Sequence, residues 1–544
     1  MMSVAAWFAL LFGAFCLGGC ARAPAAAPSP TRGYILISLD TLGSRHLSGY
    51  GYGRETSPFL DRLGERGIVF ENAVVQYTST LVSHTSMFTG LYPQEHGVYP
   101  PFSGLSAQIE TLPESFRNQG FSTAAFTEGG FLVQEAGFGR GFDRFEAGSA
   151  GRREVEKTFA KGVEFLRGLE PDERFFLFLH SYSVHDPYTP PREFAEMFWQ
   201  GDVPEGSGTR GGFLRDVTMG RTVLDAEALA HVRSLYDALV RYTDQVVEGF
   251  VNELDRLGLT DEVTLIITSD HGEEFLEHGK LGHHQVYPET LFVPLIVVHP
   301  EIEAGRRVTT LVESVDLLPT LCELAAIACP DGVSGESLVP LFSGPTGRDG
   351  TAYAEVLDQQ EMRTLLVQDQ GAFHQVLTSS RIAEPGGTWF ARSIRFDAEG
   401  EQLPLRLVSF AKPREVRVTI DGRESTPLTI GEGWQEETLE LGAPGRHTIE
   451  LATEGCDVPM WLGRGEDTRC LSVKVEGAEL SRAELYDLDE DRWATHDLSV
   501  EQPELFSRLL SRLEKIRFER AAEPEAVEPS KATSKALRAL GYID

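Results

Sequence analysis

Short apolar runs alternate with longer amphipathic segments along the first two thirds of the chain. This is the pattern of an α/β sheet whose strands are covered on both faces. Tyr34-Ile35-Leu36-Ile37-Ser38-Leu39, Ile68 to Val75, Ser122-Thr123-Ala124-Ala125-Phe126, Arg174-Phe175-Phe176-Leu177-Phe178-Leu179, Val263 to Thr268 and Val293 to Val298 read as buried strands. Ser57 to Leu63, with Pro58 in its first turn, and Thr111 to Phe116 predict short helices. Leu235, Leu239, Tyr242, Val246, Phe250 and Leu254 repeat with helical spacing and predict a long helix between Leu224 and Leu257. The pattern changes after Gly344. Val416-Arg417-Val418-Thr419-Ile420, with Asp421-Gly422 as a turn, and His447 to Leu451 alternate with period two and predict an all-β insertion over residues 390–480. Residues 33–389 are assigned to the α/β domain, 481–518 return to it with an amphipathic helix from Pro503 to Lys515, and 519–544 are expected to be a mobile tail.

Polar residues collect where the strands end, and in open α/β sheets functional groups gather at the carboxyl ends of strands. Asp40 closes the first strand, His180 and His185 follow the Phe-rich one, and Asp270-His271-Gly272-Glu273 follows Val263 to Thr268. Gly282-His283-His284 comes shortly after. Thr78, Ser79, Thr80 and Ser83 crowd the start of the helix-like segment 77–90. A hydroxyl there serves as an N-cap, or as a nucleophile held where helix N–H groups favour an anionic ester. Asp40, Thr80, Asp270 and His271 together offer two carboxylates, an imidazole and a hydroxyl. That set suits one divalent ion, Zn²⁺ or Mn²⁺ ahead of Ca²⁺, and such an ion lowers the pKa of a bound hydroxyl. His185 and His283 are candidates to bind non-bridging ester oxygens or to protonate a leaving group.

The net charge of −33 over 544 residues argues against nucleic acid as a partner. An anionic ester is therefore met by local positive charge, from a metal or histidines. Met1 to Gly19 are mostly apolar and end in Leu17-Gly18-Gly19-Cys20. This resembles the lipobox of bacterial lipoproteins, except that no Lys or Arg precedes the apolar run. The resemblance implies a signal peptide over 1–20, lipidation at Cys20, a tether over 21–32, and an exported chain anchored by lipid to a membrane of the bacterial cell envelope. An exported chain permits disulfides. Cys322, Cys329, Cys456 and Cys470 allow three pairings, the most local being Cys322 with Cys329 and Cys456 with Cys470.

An ordered series of motifs resembles the sulfatase family of the alkaline phosphatase superfamily. It runs through Ile37-Ser38-Leu39-Asp40, Thr56-Ser57-Pro58-Phe59-Leu60-Asp61 and Phe88-Thr89-Gly90-Leu91-Tyr92-Pro93 with Glu95-His96-Gly97. It continues through His185-Asp186-Pro187-Tyr188, Thr268-Ser269-Asp270-His271-Gly272-Glu273, Asp316-Leu317-Leu318-Pro319-Thr320-Leu321 and Glu484-Leu485-Tyr486-Asp487-Leu488. The resemblance implies a mixed sheet sandwiched by helices, a metal site at the strand ends, and hydrolysis of phosphate or sulfate esters.

The departures reshape that expectation. Aligning Thr89-Gly90 on the family's Thr-Gly puts Thr80 at the position of the Cys or Ser that becomes formylglycine. Val82 stands for the family's Pro, and His84 for its Arg, which makes His84 a substrate-binding candidate. Thr80 cannot yield the aldehyde. Asp40-Thr41 replaces a pair of acids, and Asp270-His271 an Asp-Asn. The resulting set looks like the single-metal phospho-transferases and phosphodiesterases of the superfamily, which use a Thr nucleophile. The expected function is metal-dependent ester hydrolysis through Thr80. The alternatives are transfer of a phospho group to an envelope glycan or lipid, and non-catalytic binding of a glycan or envelope partner.

Overall fold

A computed structural model describes residues 27–539, apart from 101, 149–153, 209–212, 219–220, 345–347, 349, 359–360, 370–372, 382–387, 391–392, 455–472, 477–480 and 517. The apolar runs become a mixed sheet. Its strands are β1 (Gly33–Leu39), β2 (Ile68–Val74), β3 (Ser122–Thr127), β4 (Arg144–Ala147), β5 (Phe175–Ser181) and β6 (Val263–Thr268), followed by a small separate hairpin of β7 (Glu274–Phe275) and β8 (Leu281–Gly282). Then come β9 (Phe292–Val298), β10 (Arg306–Val308) and β11 (Val312–Glu313). The spatial order is β10-β2-β9-β6-β1-β5-β3-β4, with β11 also on β2. β1 lies parallel to both β5 and β6 at the centre, whereas β9 is antiparallel to β2 and β6.

Successive side chains of a strand face opposite ways, and two separate cores result. Tyr34, Leu36, Phe176, Phe178 and Ile266 join the core that holds Leu81, Val82, Met87 and Phe88 of α2 (Thr80–Thr89). Ile35, Ile37, Leu39, Leu177, Leu179 and Ile267 join the other, under the long helix Ala226–Arg256 and α1 (Pro58–Gly64). This double coverage is why the strands read as unbroken apolar runs.

Chain 350–487 departs from the α/β pattern. Gly350–Asp358, Glu361–Asp369, Phe373–Arg381 and Ser481–Asp487 form an antiparallel sheet. Between its third and fourth strands the chain builds two further antiparallel sheets, from Thr388 to Glu476, around Phe396, Leu407, Val416, Val418, Ile449 and Leu451. The helix Pro503–Leu513 packs Phe506, Leu509 and Leu513 on Tyr353, Leu366, Val376 and Leu485 of the first of these sheets.

Two expectations change. Residues 519–539 are not a free tail: Ala521 N–H donates to Glu95 O (2.8 Å), Gly104 and Glu525 exchange backbone hydrogen bonds, and helix Lys531–Ala539 buries Leu537 in the α2-side core. The polar composition hid the few apolar anchors, Ala522 and Leu537, that hold it. Cys322 and Cys329 are neighbouring free thiols rather than a disulfide, one buried in helix Leu317–Ala325 and the other exposed just past it. Cys20, Cys456 and Cys470 lie outside the described residues. Among the described residues no helix is long and apolar enough to cross a membrane.

The N-terminus of α1 is capped from another element. Ser57 makes no side-chain cap bond. Instead, Asp244 of the long helix accepts from Phe59 N–H (3.0 Å) and Leu60 N–H (2.8 Å). Burial raises this carboxyl from an ordinary value of 3.8 to about 6, against the pull of those two N–H groups. Because the folded value is the higher one, the folded state favours the protonated form. The stability it contributes is full below pH 4 and is lost as pH rises through 6. Asp244→Asn keeps an acceptor but does not titrate, so it should gain up to about 3 kcal/mol relative to wild type between pH 4 and pH 7. Urea unfolding of both proteins across that range measures the difference; a constant gap would refute the shift.

Candidate active site

Register assembles the site. Ser38 of β1 pairs with His180 of β5 and with Thr268 of β6. Counting in twos from Tyr34, Phe176 and Ile266 therefore carries one face of the sheet through Ser38, His180 and Thr268 to Asp40, Tyr182 and Asp270. That face is the one α2 covers, so Thr80, the first residue of α2, meets the two carboxylates as they leave the sheet.

Asp40 and Asp270 are fully buried. Asp40 Oδ2 accepts from Thr80 Oγ1 (2.9 Å), while Asp40 Oδ1 has no partner. Asp270 Oδ1 accepts from His271 N–H (3.1 Å) and from Thr41 N–H (3.3 Å), whose residue takes the left-handed φ of 57°. Asp270 Oδ2 has no hydrogen-bond partner. Burial and the neighbouring charge of Asp270 hold the Asp40 carboxyl well above the usual range. Burial pushes Asp270 upward too, but His271, His84 and His180 outweigh it and hold that carboxyl low. Two acids this close cannot both ionise unless positive charge stands between them.

The donor set fits a cation. One ligand atom each from Asp40, Asp270 and His271 lie within 4.8 Å of one another. His271 Nδ1 donates to Gly272 O (3.1 Å), which leaves the Nε2 lone pair free, and that atom has no partner. Fixing one ring nitrogen on a carbonyl is how proteins orient a metal-binding imidazole. Asp40 Oδ1, Asp270 Oδ2 and His271 Nε2 are thus three buried acceptors without hydrogen-bond partners, one on each residue of this cluster.

Thr80 stands beside them. Ser79, the residue before it, makes no side-chain cap bond, so the hydroxyl-rich start of α2 does not cap itself through Ser79. Its first-turn N–H groups retain the capacity to bind an anion. Tyr182, whose hydroxyl accepts from Phe131 N–H (3.3 Å), also hydrogen-bonds the Thr80 side chain.

His84 is not where the sequence placed it. It lies one helical turn beyond Thr80 and points into the sheet. Its Nδ1 donates to Thr80 O and its Nε2 engages Ser38 Oγ, both at 2.9 Å, and the ring is fully buried. A side chain held there supports the floor of the site and is not presented to a substrate.

His185 and His283 do come together beside the cluster. Their rings lie 5.3 Å apart, and His283 lies 4.3 Å from the His271 ring. His185 Nδ1 donates to Asp186 O (2.7 Å). His283 Nδ1 sits on Glu273 Oε1 (2.9 Å), and Tyr188 donates to Glu273 Oε2 (2.9 Å). Burial raises Glu273 to about 7, against the pull of His271 and Tyr188. Glu273 and Tyr182 are the neighbours that sequence reasoning missed as site residues, and His180 stood there only among the histidines noted past the strand. Period-two counting along the Phe-rich strand from Phe176 and Phe178 puts His180 and Tyr182 on one face; nothing local marks Glu273 beyond its place two residues after His271.

Glu273→Gln should leave metal content unchanged and lower kcat/KM about ten- to a hundred-fold, the usual effect of losing an orienting partner. Metal analysis beside kinetics checks this. Wild-type kinetics in the variant would show that Glu273 does not position His283.

Known proteins share this framework. Rat (Rattus norvegicus) arylsulfatase K is 24% identical over 360 residues, 58% of this chain and 63% of that protein, so the chain covers less than two thirds of its length. A solved structure of a protein bound to its substrate D-glucosamine-2-N,6-O-disulfate aligns with TM-score 0.57 at 16% identity, over 90% of this chain and 98% of that one. The phosphonate monoester hydrolase of Agrobacterium radiobacter aligns with TM-score 0.57 at 15% identity, over 89% of this chain and 95% of that one. These two share the fold. Residues 32–327, the span that carries every strand from β1 to β11 and every side chain placed in the site above, match the family model for Sulfatase, and the chain belongs to the sulfatase family.

Proposed function

We propose that this protein hydrolyses phosphate or sulfate esters with Thr80 as the nucleophile. The observation that carries the reading is the Thr80 hydroxyl on Asp40 Oδ2, at an N-terminus Ser79 leaves uncapped, next to three orphaned ligand atoms. Asp40, Asp270 and His271, with Thr80 Oγ1, would hold one divalent ion, Zn²⁺ or Mn²⁺ by donor type. When bound, the ion supplies the charge that lowers the hydroxyl pKa and offsets the anionic ester.

The chain's own groups account for the rest. Thr80 Oγ1 passes its proton to Asp40 Oδ2 and attacks phosphorus or sulfur. The bond to the leaving oxygen breaks as an imidazole, His283 or His185, delivers a proton to it. Water then attacks the Thr80 ester and gives its proton to the same imidazole, while Asp40 Oδ2 returns the first proton to the departing Thr80 oxygen and restores the hydroxyl. First-turn N–H groups of α2 are placed to receive non-bridging oxygens. Rat arylsulfatase K and the two solved neighbours carry names for sulfate and phosphonate esters. Those names bracket the ester class, and phosphate is favoured here because Thr80 cannot supply the aldehyde of a formylglycine sulfatase. Export and lipid anchoring at Cys20 belong to the same reading and rest on Leu17-Gly18-Gly19-Cys20.

Thr80→Ala should lower kcat by about a thousand-fold or more on whichever of matched aryl phosphate, phosphodiester, phosphonate and sulfate esters the wild type turns over, and Thr80→Ser should keep most of the rate. Chelation should abolish turnover, and Zn²⁺ or Mn²⁺ should restore it. Turnover that survives in Thr80→Ala would refute the nucleophile assignment.

A further inference from the structure

We infer that His180 is an additional ligand of the metal centre, a role that rests on the metal-dependent reading above. His180 lies inside β5 and is fully buried, yet neither of its ring nitrogens has a hydrogen-bond partner. Buried polar atoms are nearly always satisfied, so two orphans on one ring call for a partner the protein atoms do not supply. The ring faces the right neighbours. Nε2 lies 3.4 Å from Asp40 Oδ2, and His180 shares a second ligand cluster, within 4.8 Å, with Asp270 and His84. At 3.4 Å the contact with Asp40 is an approach rather than a hydrogen bond.

The two clusters share only Asp270, and two arrangements would join them: one ion that draws His180 in as a further ligand, or two ions sharing Asp270. His84 decides between them. Its Nδ1 is spent on Thr80 O and its Nε2 on Ser38 Oγ, so it has no lone pair to give without breaking a bond. A second ion would therefore keep only His180 and a shared carboxylate, too few protein ligands for a stable site. One ion with Asp40, Asp270, His271 and His180 uses the orphaned nitrogen facing the carboxylates and leaves the His84 bonds intact. The strand register places His180 one level below Asp40 and Asp270 on the same face of the sheet.

The test reads binding and spectroscopy on the full chain, not turnover. Mn²⁺ is titrated into metal-free wild type, His180→Gln and His271→Gln, with circular dichroism to confirm folding, and the imidazole nitrogens coupled to Mn²⁺ are counted by electron spin echo. Wild type should bind one ion with two coupled nitrogens. His180→Gln should bind about ten- to a hundred-fold more weakly with one. A second variant, His180→Cys, should bind Zn²⁺ close to wild type while losing Mn²⁺, because thiolate suits the softer ion; this arm stands if the Gln variant does not fold. Unchanged Mn²⁺ affinity with both nitrogens in His180→Gln would overturn the assignment. So would two ions per wild-type chain with one lost in that variant. A folded wild type that binds neither Mn²⁺ nor Zn²⁺ would overturn the metal-centre reading itself, a result distinct from these.

Discussion

Two carboxylates that water cannot reach stand side by side at the ends of β1 and β6, and the rest of the centre answers to that fact. Asp40 and Asp270 are brought there by parallel register, not by any attraction for each other. Isolated buried charges of one sign cost several kcal/mol each. The surroundings are arranged to offset that: the imidazoles of His271, His84 and His180, the N–H groups of Thr41 and His271, and the Thr80 hydroxyl all face the pair. Even so, Asp40 Oδ1 and Asp270 Oδ2 remain unpaired. A cation held by Asp40, Asp270 and His271 would supply the positive charge these two oxygens lack.

The strands and their acidic ends were legible because double coverage makes central parallel strands apolar without interruption. Asp40 and Asp270-His271 then stand out as the first polar residues after each run. What was less legible depended on rotation rather than on position in the sequence. His84 was expected at the substrate because the family's Arg stands at its position, but the helix turns a residue four places beyond Thr80 down onto Ser38 and Phe178. His180 reads as a residue past the strand, yet β5 continues to Ser181 and makes His180 part of the floor. The segment after residue 519 failed for another reason. Its mean composition is polar, but burial depends on single residues, and Leu537 and Ala522 suffice to seat it.

The acidity of the whole chain and the electropositive needs of the site are reconciled by separation. A net charge of −33 is spread over an exposed surface, where salt screens it within roughly 10 Å. Within the centre the balance is local: five histidines, 84, 180, 185, 271 and 283, surround Asp40, Asp270 and Glu273, all essentially buried. In that low-dielectric volume one ion outweighs many remote surface charges. That local balance is what the proposed anionic-ester substrate requires of an acidic chain.

The site divides into two mechanical parts. Asp40, Asp270 and His180 are set by the sheet, and Thr80 and His84 by α2, so their relative positions are fixed by packed secondary structure. His185 lies in the loop after β5, and His283 lies just past β8, tied back to Glu273. Groups on loops change more readily than groups on a packed frame. If Thr80 attacks as proposed, its hydroxyl and the ligands on the sheet belong to the rigid part, while the imidazoles proposed to meet the leaving group belong to the adaptable one. On that proposed reading, the choice between phosphorus and sulfur esters, and between one leaving group and another, falls to the two loops. The nucleophile and the carboxylate pair can stay unchanged beneath either choice, since an anionic tetrahedral ester presents the same oxygens to a helix N-terminus whichever atom lies at its centre.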